Sequence, residues 1–288
     1  MDRPAAAGQD LATSPPSGDE VEYCYGHPKT PTRLHCSRCG RPICGRCAIA
    51  ASVGQHCPEC VAEARRSAPK VRSTLRANAP VVYSLIAINV LAYAAQTFLG
   101  FENFTVRFML IPQAVDAGQW YRLVTAMFLH GGALHIIMNM YVLFIFGPNV
   151  EQAFGSVRTL AMYLAAGLMG SAFSYAIPPE SPSLGASGAI FGLAGILLVY
   201  LYKRRTSQFL GRYLRSIGFF IVANLVLGFA LSSFIDIWAH IGGLVGGIIL
   251  ALGFDRRDQL APITSTLATL AVVGGAVLLV MMKTAGAF

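Results

Sequence analysis

Ser187 stands in Gly185-Ala-Ser-Gly188, at the start of a hydrophobic stretch that continues to about Tyr202. Little beside it can compete for contact, and a serine hydroxyl becomes a nucleophile when an adjacent base takes its proton. The G-x-S-x-G elbow of soluble hydrolases does not fit, because the second glycine falls at Gly188 instead of position 189 and the flanks are apolar enough for a membrane. His240, in Ile237-Trp-Ala-His-Ile-Gly-Gly-Leu-Val-Gly-Gly247, offers a base whose ordinary pKa lies near working pH. Acyl transfer also needs donors for an oxyanion. His135 and Asn139 are four residues apart, so they share one helix face. Ser187 itself falls in a first helical turn, where backbone N–H groups lack intrahelical partners. No third acid is evident. Asp236, one turn before His240, is expected in the headgroup region, and a lone serine in a membrane helix more often bonds back to its own helix.

These residues must be carried by membrane helices. Of 288 residues, 55% are hydrophobic and 12% charged, against about 25% charged in an ordinary soluble domain. Apolar segments run approximately over 81–100, 131–150, 157–177, 185–202, 214–234, 237–254 and 262–282, each long enough for a hydrocarbon core that needs about 20 helical residues. Gly243 and Gly247 line one face after His240, and Gly185, Gly188, Gly192 and Gly195 line the segment of Ser187. Two such faces pack closely, which brings Ser187 within reach of His240. Asn89 and Asn224 are expected to hydrogen-bond between helices. The net charge of +8 does not point to nucleic acid, because lysines and arginines sit beside the apolar segments. They mark residues 61–78, the loop from Lys203 to Arg215, and Arg256-Arg257, and so predict a cytoplasmic N-terminus and an outer C-terminus. The outer loop from Phe101 to Arg122 is long, with Trp120 and Tyr121 suited to the interface. Residues 1–20 lack both a basic start and an apolar run, so no signal peptide is expected.

All seven cysteines lie between Cys24 and Cys60. Cys24-x-x-His27, Cys36-x-x-Cys39, Cys44-x-x-Cys47 and Cys57-x-x-Cys60 are four ligand pairs, each turning two side chains toward one ion. They predict structural zinc, one or two ions, with His35 and His56 as spare ligands and a single ion with leftover thiols as the alternative. Ligands in excess argue against catalytic zinc, and a reducing cytosol suits free thiols. The alternation resembles a B-box or similar cross-brace finger. That resemblance implies Cys24, His27, Cys44 and Cys47 on one ion and Cys36, Cys39, Cys57 and Cys60 on the other.

The larger set resembles the rhomboid intramembrane serine proteases: Trp120-Tyr-Arg122, His130…His135…Asn139, Gly185-Ala-Ser187-Gly188 and Ala239-His240-Ile-Gly242, over roughly residues 80–255. It implies an all-α polytopic fold of six helices, here with a seventh C-terminal helix and a small zinc module in front. It also implies Ser187 as nucleophile, His240 as general base and then acid, His135 and Asn139 as oxyanion donors, and His130 as a brace for the outer loop. It implies further that no cofactor takes part in catalysis and that the substrates are transmembrane helices of other proteins. Two positions depart from the pattern: Phe191 stands where a tyrosine often packs beneath the histidine, and Tyr121 is inserted before Arg122. The expected organisation is a disordered 1–20, a zinc module at 21–62, a basic linker at 63–79, the protease core at 80–255 and an added helix within 256–288. The expected location is the plasma membrane, with clients in the bilayer and a cytosolic protein as a partner for the zinc module. A silent scaffold that binds helices without cutting them is the rival function, and it should have lost Ser187 or His240. A haem carrier needs facing histidine pairs, and a metalloprotease needs H-E-x-x-H; neither pattern is present.

Overall fold

The structure, a computed structural model, describes residues 21–51, 53–67, 78–177, 181–204, 208–232, 235–254 and 261–287. The expected disordered start, residues 68–77 of the basic linker, Pro178 to Glu180, Arg205 and Arg256-Arg257 lie outside these. The chain divides into two units, Met1–Thr74 and Leu75–Phe288.

In the first unit, β1 (Tyr23–Cys24) pairs antiparallel with β2 (His27–Pro31), and β3 (Ile49–Ala50) with β4 (Gln55–His56); α1 (Pro58–Ser67) follows. The buried cluster consists of six cysteines and Ile43. So small an apolar core cannot offset the entropy of ordering the chain. Exposed ion pairs from Arg41 to Glu59 (2.6 Å) and Arg38 to Glu63 (3.4 Å) tie α1 to the knuckle, and pairs so exposed contribute little.

The second unit is helical. It comprises α2 (Pro80–Phe98), α3 (Phe101–Phe108), α4 (Pro112–Asp116), α5 (Arg122–Thr125), α6 (Ala133–Phe154), α7 (Ser156–Ala176), α8 (Ser187–Tyr202), α9 (Gln208–Ala230), α10 (Ile237–Gly253) and α11 (Ala261–Thr284). The seven long helices among them coincide with the seven apolar segments, six forming a bundle and α11 adding to it. α2, α6, Gly211–Ala230 of α9 and Ile263–Thr284 of α11 are long and apolar enough to cross a membrane, whereas α8 and α10 are apolar but shorter. Large apolar side chains on α2, α9 and α11, such as Leu91, Phe219 and Leu270, are more than 60% exposed, as lipid contact requires. The loop from Phe101 to Arg122 is not extended chain, for α3, α4 and the start of α5 occupy most of it.

The bundle closes through backbone contact. A Cβ on Gly243 would lie 1.9 Å from the Gly188 carbonyl oxygen, and one on Gly247 2.1 Å from that of Gly192. On its other side α10 meets α7: a Cβ on Gly242 would lie 2.7 Å from the Met169 carbonyl oxygen, and one on Gly246 3.2 Å from Met169 Cβ. The repeat Gly242-Gly243…Gly246-Gly247 thus gives α10 two bare faces, so it slots between α7 and α8. At the opposite end of the bundle from Ser187, the buried Glu151 of α6 accepts hydrogen bonds from the Val81 and Val82 amides (3.1 and 2.9 Å) and from Ser156 (2.6 Å). A carboxylate at a helix start satisfies its unpaired N–H groups and complements its dipole, so Glu151 pins α2 and α7 to α6. Asn224 donates to Phe220 of its own helix, the nearest acceptor four residues back. The Asn89 amide likewise donates to Leu85 of its own helix, and its side chain also meets the Tyr163 hydroxyl of α7, the interhelical partner expected.

Candidate functional site

Ser187 is the first residue of α8, and no side chain caps that start. The first intrahelical acceptor in this turn is the Ala186 carbonyl, which takes the Ile190 N–H. The chain enters the helix through a braced strand. Ser183 pairs with Leu110 of the loop from Phe101 to Arg122 by two backbone bonds (3.0 and 2.9 Å), and the Gly185 N–H donates to the Ala126 carbonyl (2.9 Å). Gly185 has φ +137°, a backbone conformation that disfavours other residues. It therefore stands outside the helix and does not contribute to the interhelical glycine face. α8 has 16 residues, a rise of about 24 Å, against a hydrocarbon thickness of about 30 Å. Ser187 stands at the end of α8 opposite Lys203 and Arg204. It is half-buried, whereas Gly188 to Leu197 below it are buried.

His240 lies on the same side. Its ring stacks on Phe191 at 4.2 Å and 10°, one turn below Ser187 on one face of α8. A Cβ on Gly188 would fall 3.1 Å from the Ala239 carbonyl, so the neighbours of Ser187 and His240 touch across the helix pair. Phe191 thus keeps the packing expected at this position without a hydroxyl. No hydrogen bond joins Ser187 Oγ to His240 among the described residues, and catalytic bonds are often loose before substrate arrives. His240 Nδ1 is buried without a protein partner. Asp236 does not reach it: one carboxylate oxygen caps α10 at the Ala239 N–H (3.0 Å) and the other accepts from Ser174.

His135 enters from α6. Its Nδ1 accepts the Gly131 N–H (3.3 Å), so the proton of the neutral ring sits on Nε2. A Cβ built on Gly185 would lie 3.0 Å from His135 Nε2 and 3.7 Å from Ser187 Oγ. The ring and the hydroxyl thus flank one point. Asn139 follows on α6 and spends one amide proton on the His135 carbonyl (3.1 Å), leaving the other. His130 is fully buried and sits edge-on to His135, with ring centroids 5.1 Å apart. Its bracing is done by backbone: Gln96 accepts from its N–H (3.0 Å), donates to its carbonyl (3.1 Å) and also donates to Thr105 of α3 (2.7 Å). Gln96 escapes sequence reading because a polar residue near a helix end looks interfacial; its full burial marks it. Arg122 anchors the loop, donating to the carbonyls of Val106 and Met109 (both 2.7 Å) and to Gln119 (2.7 Å). The inserted Tyr121 bonds within the same loop, to the Arg107 carbonyl.

The first unit carries two further groups, Cys24–His27–Cys44–Cys47 and Cys36–Cys39–Cys57–Cys60, with ligand atoms within 4.8 Å of one another in each. These are the sets implied by the cross-brace resemblance. His27 Nδ1 lies 3.8, 3.5 and 3.3 Å from the Cys24, Cys44 and Cys47 sulfurs, and Cys39 and Cys57 sulfurs are 3.8 Å apart. A tetrahedral zinc with Zn–S of about 2.3 Å has edges of about 3.5–3.8 Å, so the residues fit the ion. His35 pairs with Glu22 instead and His56 stands in β4; neither joins a group. Burial raises the Cys36 thiol, but backbone N–H groups of Cys57, Arg38 and Cys39 outweigh it and bring it to about 6. Cys24 falls to about 7 because the amides of Cys44 and Gly26 likewise overcome burial. Cys47 is pushed up to about 11 by burial and by the Cys24 and Cys44 sulfurs, and Cys60 to about 12, first by its bond with Cys57 and then by burial.

A family model for the rhomboid domain matches residues 117–257. Rhomboid protease GluP of Bacillus subtilis is 46% identical over 141 residues, which are 48% of this chain and 26% of that protein. RHOMBOID-like protein 6, mitochondrial, of Arabidopsis thaliana is 40% identical over 153 residues, 51% of this chain and 48% of the relative. YdcA of Bacillus subtilis, also named for rhomboids, is 35% identical over 138 residues, 48% of this chain and 68% of the relative. The matched region thus spans about a quarter and a half of the first two relatives.

Proposed function

Since the chain belongs to the rhomboid family, we propose that it is an intramembrane serine endopeptidase that cuts the transmembrane helices of other proteins. The observation that supports this reading is the Ser187 hydroxyl and the His135 ring flanking one point at an uncapped helix start, with the His240 ring stacked on Phe191 one turn below. In the proposed cycle Ser187 Oγ attacks the scissile carbonyl carbon while His240 takes the hydroxyl proton. The carbonyl oxygen, now negative, accepts from the His135 Nε2–H, from the remaining Asn139 amide proton and from backbone N–H groups of the first turn of α8. The C–N bond then breaks as His240 returns the proton to the leaving amine. Water, deprotonated by His240, attacks the acyl-Ser187 ester and releases the second product. A client helix must first unwind locally, because its peptide groups are locked in hydrogen bonds.

The membrane arrangement follows from charge: Arg65, Arg66, Lys203, Arg204, Arg212 and Arg215 mark the cytoplasmic side. The N-terminal unit is then cytosolic, the C-terminus outside and the membrane the plasma membrane. The two ligand groups take structural zinc, with a cytosolic protein as partner of the module. A zinc chelator at neutral pH is expected to unfold the module alone, since its core consists of ligands. Mass spectrometry after alkylation would then find all seven cysteines modified, against none or few before, with the helical content of the membrane unit unchanged.

The function is tested with purified wild-type protein in liposomes beside a single-span substrate carrying helix-breaking residues near its outer end. The expected result is one cut, placed by mass spectrometry, and Ser187 labelled by a fluorophosphonate. A protein that binds the helix, cuts nothing and takes no label is the silent scaffold. The missing Ser187–His240 bond is the one feature that favours it.

A further inference from the structure

The seventh helix lies apart from Ser187 and His240, yet it is tied to the loop that braces them. Ala268, Val272, Ala276 and Val280 are the buried side chains of α11. Their spacing of four makes a single stripe, and Thr284 is its next member. Thr284 Oγ1 lies 2.9 Å from the hydroxyl of Tyr175, a fully buried residue in the last turn of α7. The same hydroxyl bonds the Asp116 carboxylate at the end of α4, in the outer loop. A carboxylate only accepts, so the Tyr175 proton goes to Asp116, and the single Thr284 hydroxyl proton is shared between the Tyr175 oxygen and the Val280 carbonyl, each 2.9 Å away. Asp116 is six residues beyond Leu110, whose backbone pairs with Ser183 on the approach to Ser187. One residue before Tyr175, Ser174 donates to Asp236, the cap of the helix bearing His240.

We propose that Tyr175, held by Thr284 of the seventh helix, is a positioning residue of the active site, fixing the outer loop at Asp116 and through it the strand that leads into Ser187. The role rests on the protease reading. It makes α11 part of the catalytic unit and gives its one small-residue stripe a purpose beyond anchoring. Polar networks at a bundle's edge act as a unit when each member is satisfied, so losing any hydroxyl should release the same loop.

The test uses the full chain with the single-span substrate and compares Thr284→Val, which keeps shape, Thr284→Ser, which keeps the hydroxyl, and Tyr175→Phe. Thr284 is exposed at a helix end, so its valine variant folds. Thr284→Val and Tyr175→Phe should each lower kcat roughly fivefold to tenfold with KM nearly unchanged. Amide exchange over residues 107–118 should rise in both. Thr284→Ser should restore both readouts, and the double variant should be no worse than either single one. Wild-type rate and exchange in Thr284→Val overturn the proposal, as does a loss in Tyr175→Phe that Thr284→Val does not share. If the wild type cuts nothing, the protease reading fails by itself. Exchange then decides the tie: raised exchange in Thr284→Val supports it and unchanged exchange overturns it.

Discussion

Ser187→Ala should abolish cleavage of a transmembrane substrate, by at least about 10⁴-fold in turnover, and leave the membrane unit folded. The two effects separate because of what the hydroxyl does at rest. A serine that serves packing bonds to a carbonyl of its own helix, whereas Ser187 Oγ has no hydrogen bond among the described residues. Removing it loses little stability, since no partner is left unsatisfied. His240→Ala should match it in turnover but cost more in folding, because the ring fills the space over Phe191. Turnover and thermal unfolding of Ser187→Ala, measured side by side, check the expectation. Substantial residual turnover in a pure sample would remove Ser187 from the mechanism, and a large fall in unfolding temperature would return it to a packing role.

The second large effect is expected at a residue that carries no chemistry. Gly243→Ala places a Cβ 1.9 Å from the Gly188 carbonyl oxygen, and ordinary C···O contact begins near 3.3 Å. The obstacle is backbone on both sides, so no rotamer relieves it. α8 and α10 must part by more than about 1 Å, which moves Ser187 away from His240. A misplacement of that size costs on the order of 10²-fold in rate, and cleavage should fall accordingly. Gly218→Ala on α9, where a Cβ meets nothing within 4 Å, should cleave at the wild-type rate. Equal rates for the two variants would show that the helix spacing does not set the site.

The parts of this molecule that sequence made legible are those written in local pattern. Seven apolar runs foreshadow seven helices, and glycines at a spacing of four mark the faces by which α8 and α10 meet. Four C-x-x-[CH] pairs foreshadow two metal groups. The second bare face of α10, Gly242 and Gly246, was equally present in the text, but adjacent glycines read as one small surface until α7 is seen behind it. Gln96 with His130, Glu151 with Val81, and Asp116 with Tyr175 and Thr284 were not legible. Each joins residues 34 to 109 positions apart, and nothing local in either partner specifies the other. Asn224 differs in the reverse direction: a polar residue in a span suggests a distant partner, while its amide donates to a carbonyl one turn away.

The bare helix α10 also has a bearing on how the chain is made. Held between α7 and α8 by backbone contact at Gly242, Gly243, Gly246 and Gly247, it offers few side chains at those positions with which to begin assembly. The groove it fills must exist beforehand, and chain order provides this, since α7 and α8 are synthesised first. Until α10 arrives, the carbonyls of Gly188, Gly192 and Met169 border an unfilled cleft. A chain stopped short of Ile237 would keep that cleft open, presenting unsheltered backbone within the bilayer as a mark by which quality control could tell an unfinished copy from a mature one.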